Sequence, residues 1–296
     1  MNFTYDNVSL IFDTILNVWW AIFIFLTLYV YYKGIKPYKV SFNEEYFKGI
    51  PDDLNIVEVS NLVNKKINAD TLAAYVVNLI GRKILKVEIE DGEEYIRRGS
   101  YKGKLSIGDE ATVKLILYTM GDGDQVKISQ LYNFCNIKRN KSIMLMEFQI
   151  WCKIMKKENY KHIFFEMKEE YPIVKFMSIF GSALFFINIF GHFNNILAYL
   201  TLLPAILLLL VYSKVFKRTR FANEEYYKWM AFKAYLENIE QFDDEIAYPE
   251  EYLAYSICLG IKGLETKITN HSYSERLVEA LNRCVVKAVL SGNRNL

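Results

Sequence analysis

Thr14-Ile15-Leu16-Asn17-Val18-Trp19-Trp20-Ala21-Ile22-Phe23-Ile24-Phe25-Leu26-Thr27-Leu28-Tyr29-Val30-Tyr31-Tyr32 runs without a charged side chain. About 20 apolar residues at the helical rise of ~1.5 Å cross a hydrocarbon core of ~30 Å. The stretch therefore predicts a transmembrane helix over 14–32, with its closing tyrosines at the level of an interfacial aromatic belt. A cleaved signal peptide fits poorly, because no Lys or Arg precedes the run, the run is too long, and no small-x-small site follows it.

Further along, Phe176 to Ser213 is again free of Asp, Glu, Lys and Arg. That block is too long for one span and suits two. Gly191-His192-Phe193-Asn194-Asn195 divides it, which predicts a membrane hairpin over 172–213, with helices of about 172–190 and 196–213. Lys175 is placed to snorkel to the headgroups, and Pro204 to kink the last helix. Asn17 and Asn188, polar within the spans, suit helix–helix hydrogen bonds.

Basic residues orient the spans. Lys33, Lys36 and Lys39 follow the first, and Lys214, Lys217, Arg218 and Arg220 follow the third, whereas residues 1–13 and the hairpin tip carry no Lys or Arg. The positive-inside rule then expects a plasma-membrane protein with residues 1–13 and the tip outside, and with 33–171 and 214–296 in the cytoplasm. Recognition of anionic lipid by the second cluster is a further expectation.

Charged residues are 24% of the 296-residue chain, too many for a bundle lying wholly in lipid, and the net charge is only +2. The polar blocks are therefore ordinary water-soluble ones. In 33–171, Asn55-Ile56-Val57-Glu58 has capping-box chemistry for a first helix. A second is expected from Asn68, with Leu72, Tyr75, Val76, Leu79 and Ile80 on one stripe. The period then changes to two: Leu85, Val87 and Ile89 alternate with charged residues up to Asp91-Gly92, a hairpin signal. Helix, helix and two-stranded wing is a winged-helix-like pattern over 50–100. A second unit over 105–165 is read as a helix of about 109–120, a strand near Val126, a short helix capped by Ser129, and a longer helix of about 141–157.

The C-terminal block reads as helices of about 223–240, from Pro249 to near Gly260, and 274–290, joined through the acidic run Asp243-Asp244-Glu245. Trp229, Phe232, Leu236, Tyr252 and Tyr255 are its candidate domain-packing residues. The fold class expected is thus an α-helical membrane protein with three spans, a winged-helix-like α+β domain and a helical C-terminal segment.

Chemistry is sparse. Gly121-Asp122-Gly123-Asp124 lacks the closing Glu of a calcium loop and any P-loop Lys, and reads as a turn. His162, His192 and His271 stand in no metal-ligand spacing, and Cys135, Cys152, Cys258 and Cys284 form no C-x-x-C pair and read as reduced, buried thiols. No catalytic, metal or cofactor site is expected. The wing's Glu88, Glu90, Asp91, Glu93 and Glu94 would repel phosphates, and Lys65-Lys66 and Arg97-Arg98 are isolated basic pairs, so nucleic acid is disfavoured. The function expected is a membrane-anchored scaffold or regulator working through a protein partner on the cytoplasmic face. The alternatives are a membrane-tethered DNA-binding regulator, or a lipid- or small-molecule-handling enzyme or transporter.

Three stretches resemble the YciQ-like family of predicted bacterial membrane proteins. They are Gly49-Ile50-Pro51-Asp52-Asp53-Leu54 with the helices running to Leu85, Lys228-Trp229-Met230-Ala231-Phe232-Lys233-Ala234-Tyr235-Leu236, and Glu251-Tyr252-Leu253-Ala254-Tyr255-Ser256-Ile257-Cys258-Leu259-Gly260. The resemblance implies the membrane and cytoplasmic half of that family without its large extracellular domain, and it carries no activity over. It also implies Gly after the second helix, where this chain has Lys83 with Gly81 two residues earlier.

Overall fold

A computed structural model describes residues 5–30, 32, 36–51, 54–165, 172–193, 195–206, 217–242, 249–264, 267 and 273–292. The chain divides into two compact units, one of 1–39 with 165–223 and the other of 40–164 with 224–296.

The first unit is built on α1 (Tyr5–Val30), 26 residues long. Phe12, Leu16, Trp19 and Leu26 recur at helical spacing and are buried against Met177 and Leu184 of α7 (Pro172–Phe190) and Ala198 of the short α8 (Ile196–Tyr199). The rest of α1 is also apolar, with Leu10, Ile15, Val18, Ile22, Phe25 and Leu28 exposed. Only 17% of an 18-residue apolar window within Val8–Tyr29 is buried. An apolar helix exposed over most of its surface belongs in lipid rather than water. This is the one described helix long and apolar enough to cross a membrane; Lys175–Phe190 and Ile196–Ile206 are apolar and shorter. The remainder of the expected third span, 207–213, lies outside the described residues.

Close packing here depends on Gly181, where a Cβ would collide with the Trp19 ring. The indole Nε1 donates to the Met177 carbonyl at 3.1 Å, and Thr201 Oγ1 donates to the Gly181 carbonyl at 2.9 Å. At the hairpin tip Asn188 is buried and exchanges two bonds with the Asn195 backbone, while Asn195 Nδ2 donates to Asp13 at 2.7 Å. Asn188 thus closes its own hairpin rather than joining a neighbouring span.

The second unit is centred on α3 (Ala69–Gly81), preceded by α2 (Ile56–Asn64). Both start on capping boxes: Asn55 with Glu58, and Asn68 with Thr71. After α3 come β1 (Leu85–Glu90) and β2 (Glu93–Arg98), antiparallel with Val87 opposite Ile96. Asp91 and Gly92 both have positive φ, as a two-residue hairpin turn requires. A third strand, β3 (Gln125–Lys127), adds to β2 in the order β1-β2-β3.

Helix α4 (Ile107–Val113) is capped by Ser106, earlier than the expected start near Asp109, and runs on as a π-helical stretch, Lys114–Thr119, with Leu115, Ile116 and Leu117 buried. β3 leads straight into α5 (Ile128–Phe134), so Ser129 lies inside the first turn instead of capping it and donates to Glu93. Helix α6 (Lys138–Asn159) buries Met144, Phe148, Trp151 and Met155. The C-terminal block supplies α9 (Arg220–Glu237), α10 (Pro249–Cys258) and α11 (Tyr273–Gly292). Helices α10 and α11 both pack on α3, and α11 also on α5 and α6.

Candidate functional site

Helix α3 is covered on nearly every side. Ala69, Thr71, Leu72, Ala73, Ala74, Tyr75, Val76, Val77 and Leu79 are buried, which spans most directions around the axis. At its end Arg82 forms a two-bond pair with Asp109 of α4, at 2.8 and 2.7 Å, and Tyr75 donates to the same carboxylate at 2.9 Å. Burial pushes the Asp109 carboxyl up, but the Arg82 guanidinium, the Ser106 N–H and the Tyr75 hydroxyl together hold it below its usual range. The set is satisfied within the protein and is a structural lock. A second buried carboxylate, Glu58, accepts from the Lys161 N–H at 2.9 Å and faces His162 at 3.1 Å. Burial pushes the Cys258 thiol up to about 12, so it is inert.

The candidate packing residues meet in one aromatic cluster. Trp229 lies 4.9 Å from Tyr255 and 5.7 Å from Phe232, and Phe232 lies 5.6 Å from Tyr252. Trp229, Phe232, Leu236 and Tyr255 are buried, and Tyr255 donates to the Leu54 carbonyl, so α9 and α10 are fixed to the start of α2.

Of the topology residues, Lys36 lies over the Tyr32 ring, and Lys217 and Arg220 over the Tyr38 ring. Arg218 pairs by backbone with Phe165. Lys39 follows Tyr38 in the first unit, while Lys33, Lys214 and the acidic run 243–245 lie outside the described residues.

Among the described residues, a cleft of about 480 Å³ lies between α3, α10, the Gly260–Leu264 loop and α11. Its floor is apolar, with Leu253, Ile257, Leu264 and Val278, and among the described residues its rim carries Asp70, Glu275 and Glu279 with Lys262. Asn282 donates to Asp70 at 2.6 Å and the Gly263 N–H to Glu275 at 3.2 Å, which hold α11 to α3 and the loop to α11. Gly260 has φ +75° and ends α10 with the paired bonds of a left-handed cap, turning the chain under the cleft. Along α11 the rim residues continue at helical spacing into Val286, Val289 and Leu290, which are exposed. One face of α11 is thus acidic at its start and apolar at its end.

Sequence reading missed this cleft, since its walls come from residues nearly two hundred positions apart. It also missed a covalent link. Cys135 and Cys284 form a disulfide, correcting the expectation of four reduced thiols; their Cα atoms are 5.1 Å apart, and only Cys152 and Cys258 are free. A separation of 149 residues hid the pairing. Among the described residues no group of His, Cys, Asp or Glu is arranged to hold a metal ion.

A long apolar helix exposed over most of its surface, joined to a large polar α-helical unit with a small sheet, defines a membrane-associated protein. Residues 43–263 match the family described as predicted membrane protein (DUF2207) C-terminal domain. The chain belongs to that family, in keeping with the YciQ-like resemblance. The match takes in both units, and α11 lies beyond it. No curated protein and no solved structure matches the chain.

Proposed function

We propose that this is a multi-pass membrane scaffold or regulator that holds its polar unit in the cytoplasm and docks a basic, amphipathic helical segment of a partner protein on α11. The observation that carries the reading is the α11 face itself. Its acidic start beside the cleft calls for Lys or Arg, and its exposed apolar end calls for Leu-like side chains at the same helical spacing. Between Glu275 and Leu290 it offers about 22 Å of helix.

Three spans with the tip outside agree with the ends of the membrane unit. Asp13 meets the basic-free hairpin tip at one end, whereas Lys36, Lys217 and Arg220 gather on tyrosines at the other. The order α2, α3, β1, β2 favours a winged-helix-like domain. Its recognition helix is enclosed by α10 and α11 and its wing is acidic, which favours a protein partner over DNA.

A photo-reactive amino acid at Val286 in the full chain, activated in native membranes, tests the docking. The expected adduct maps to a partner peptide rich in Lys or Arg and apolar residues, and Glu275→Lys with Glu279→Lys abolishes it. Adducts to lipid or nucleic acid alone, or an adduct indifferent to those charge reversals, would overturn the proposal.

A further inference from the structure

We propose that Cys135 and Cys284 are a thiol–disulfide latch that fastens α11, and with it one wall of the docking face, to the polar unit. The inference rests on the cytoplasmic placement and docking role proposed above.

The link joins the middle of α11 to the turn between α5 and α6. The contacts around it are reversible. Arg283 lies 3.9 Å over the Tyr132 ring, Lys287 donates to Asn136 at 2.6 Å, and Arg276 pairs with Glu94 at 2.5 Å. Each pair has a partly exposed member, where such contacts are individually weak, and beneath them Leu277, Leu281 and Val285 hold α11 by noncovalent packing in the core. The disulfide is thus the one covalent restraint on this helix among the described residues. Asn282, which ties α11 to Asp70 in the cleft rim, lies two residues from Cys284, so fixing the cysteine fixes the rim.

A disulfide in a cytoplasmic unit is unusual as a permanent staple and common as a redox sensor. Both sulphurs are buried, so exchange proceeds when α11 lifts. The thiolate of one cysteine attacks a low-molecular-weight disulfide, RSSR, forming a mixed disulfide and releasing one RSH. The second thiolate displaces the other RS group as α11 closes, releasing a second RSH. Two cysteine thiols are oxidised and one RSSR is reduced to two RSH. Locking α11 removes its opening motion. With the latch reduced, α11 opens and recloses and the docking face is transient.

Acid-quenched cells, denatured and treated with a maleimide mass tag, read the latch directly. The chain holds four cysteines, so unstressed cells should show four tags, and membranes equilibrated with oxidised glutathione should show two. Amide exchange over α11 in the full chain in detergent should slow by about ten-fold on oxidation. Cys284→Ser should abolish both changes, and where that variant misfolds, the wild type before and after oxidation suffices. Two tags in unstressed cells, four tags after oxidation, or equal exchange in both states would each overturn the latch. The Val286 adduct reads docking separately, so failure of the latch and failure of docking are distinguishable.

Discussion

Lys83 occupies a backbone conformation that glycine would fill more comfortably. Its φ is +60°, and its N–H bonds the Ile80 carbonyl while the Ile84 N–H bonds that of Leu79, a left-handed cap closing α3. The conformation costs a non-glycine residue roughly 1–2 kcal/mol, partly offset by the greater unfolded-state freedom of glycine. Lys83→Gly should therefore stabilise the polar unit by about 0.5–1 kcal/mol in denaturant titration of the full chain in detergent. The adjacent Arg82 works the other way. Arg82→Met leaves the Asp109 carboxylate buried with one hydroxyl and the Ser106 N–H, and should destabilise by about 3 kcal/mol, less whatever solvent screens at the half-exposed guanidinium. Because the folded-state pKa of Asp109 is depressed, its contribution is fully present above the unfolded value near ~3.9 and is lost as pH falls through the lower folded value. Asp109→Asn should show a flatter loss of stability below about pH 4 than the wild type. An equally steep loss would place the acid sensitivity elsewhere.

At the scale of elements, α1 and α7 meet through Trp19 lying against Gly181. Gly181→Ala forces a rigid indole and a helix backbone apart and should lower the stability of the membrane unit by about 1–3 kcal/mol. Trp19→Phe in the same chain should restore part of it, read by thermal unfolding in detergent. Trp229→Ala, which empties the centre of the α9–α10 aromatic cluster, should remove about 3–5 kcal/mol. Elements with local causes were legible in the sequence. Asn55 and Glu58 announce α2, Asp91-Gly92 announces the hairpin, and the uncharged run from Thr14 announces α1. What escaped was set by distance or by competition. Ser106 caps α4 through Asp109, yet the apolar run that draws the eye begins later. Ser129 has cap chemistry and lost the role because β3 feeds α5 without a break. Arg82–Asp109 meets only once α4 packs beside α3, and the cleft and Cys135–Cys284 only once α10 and α11 pack on the rest of the unit.

For the whole molecule, the disulfide and the basic flanks pull toward opposite compartments, and one labelling experiment decides between them. Lys36, Lys217 and Arg220 predict that the end of the spans bearing Tyr38 faces the cytoplasm, which puts the polar unit in a reducing space. A stable disulfide predicts the oxidising side. His192 at the hairpin tip and Tyr101 in the polar unit are both exposed, so each position can carry a single reporter cysteine. Cys258 is buried and Cys152 half-buried with its thiol pushed up to about 11, so native background labelling is low. With a membrane-impermeant maleimide on intact cells, His192→Cys should label at once and Tyr101→Cys only after permeabilisation. The reverse pattern would invert the topology and make the disulfide a permanent fastener of an external unit. The predicted pattern leaves the disulfide as the feature that needs a regulatory explanation, because a cell that keeps thiols reduced would hold α11 by its reversible contacts until an oxidant closed the bond.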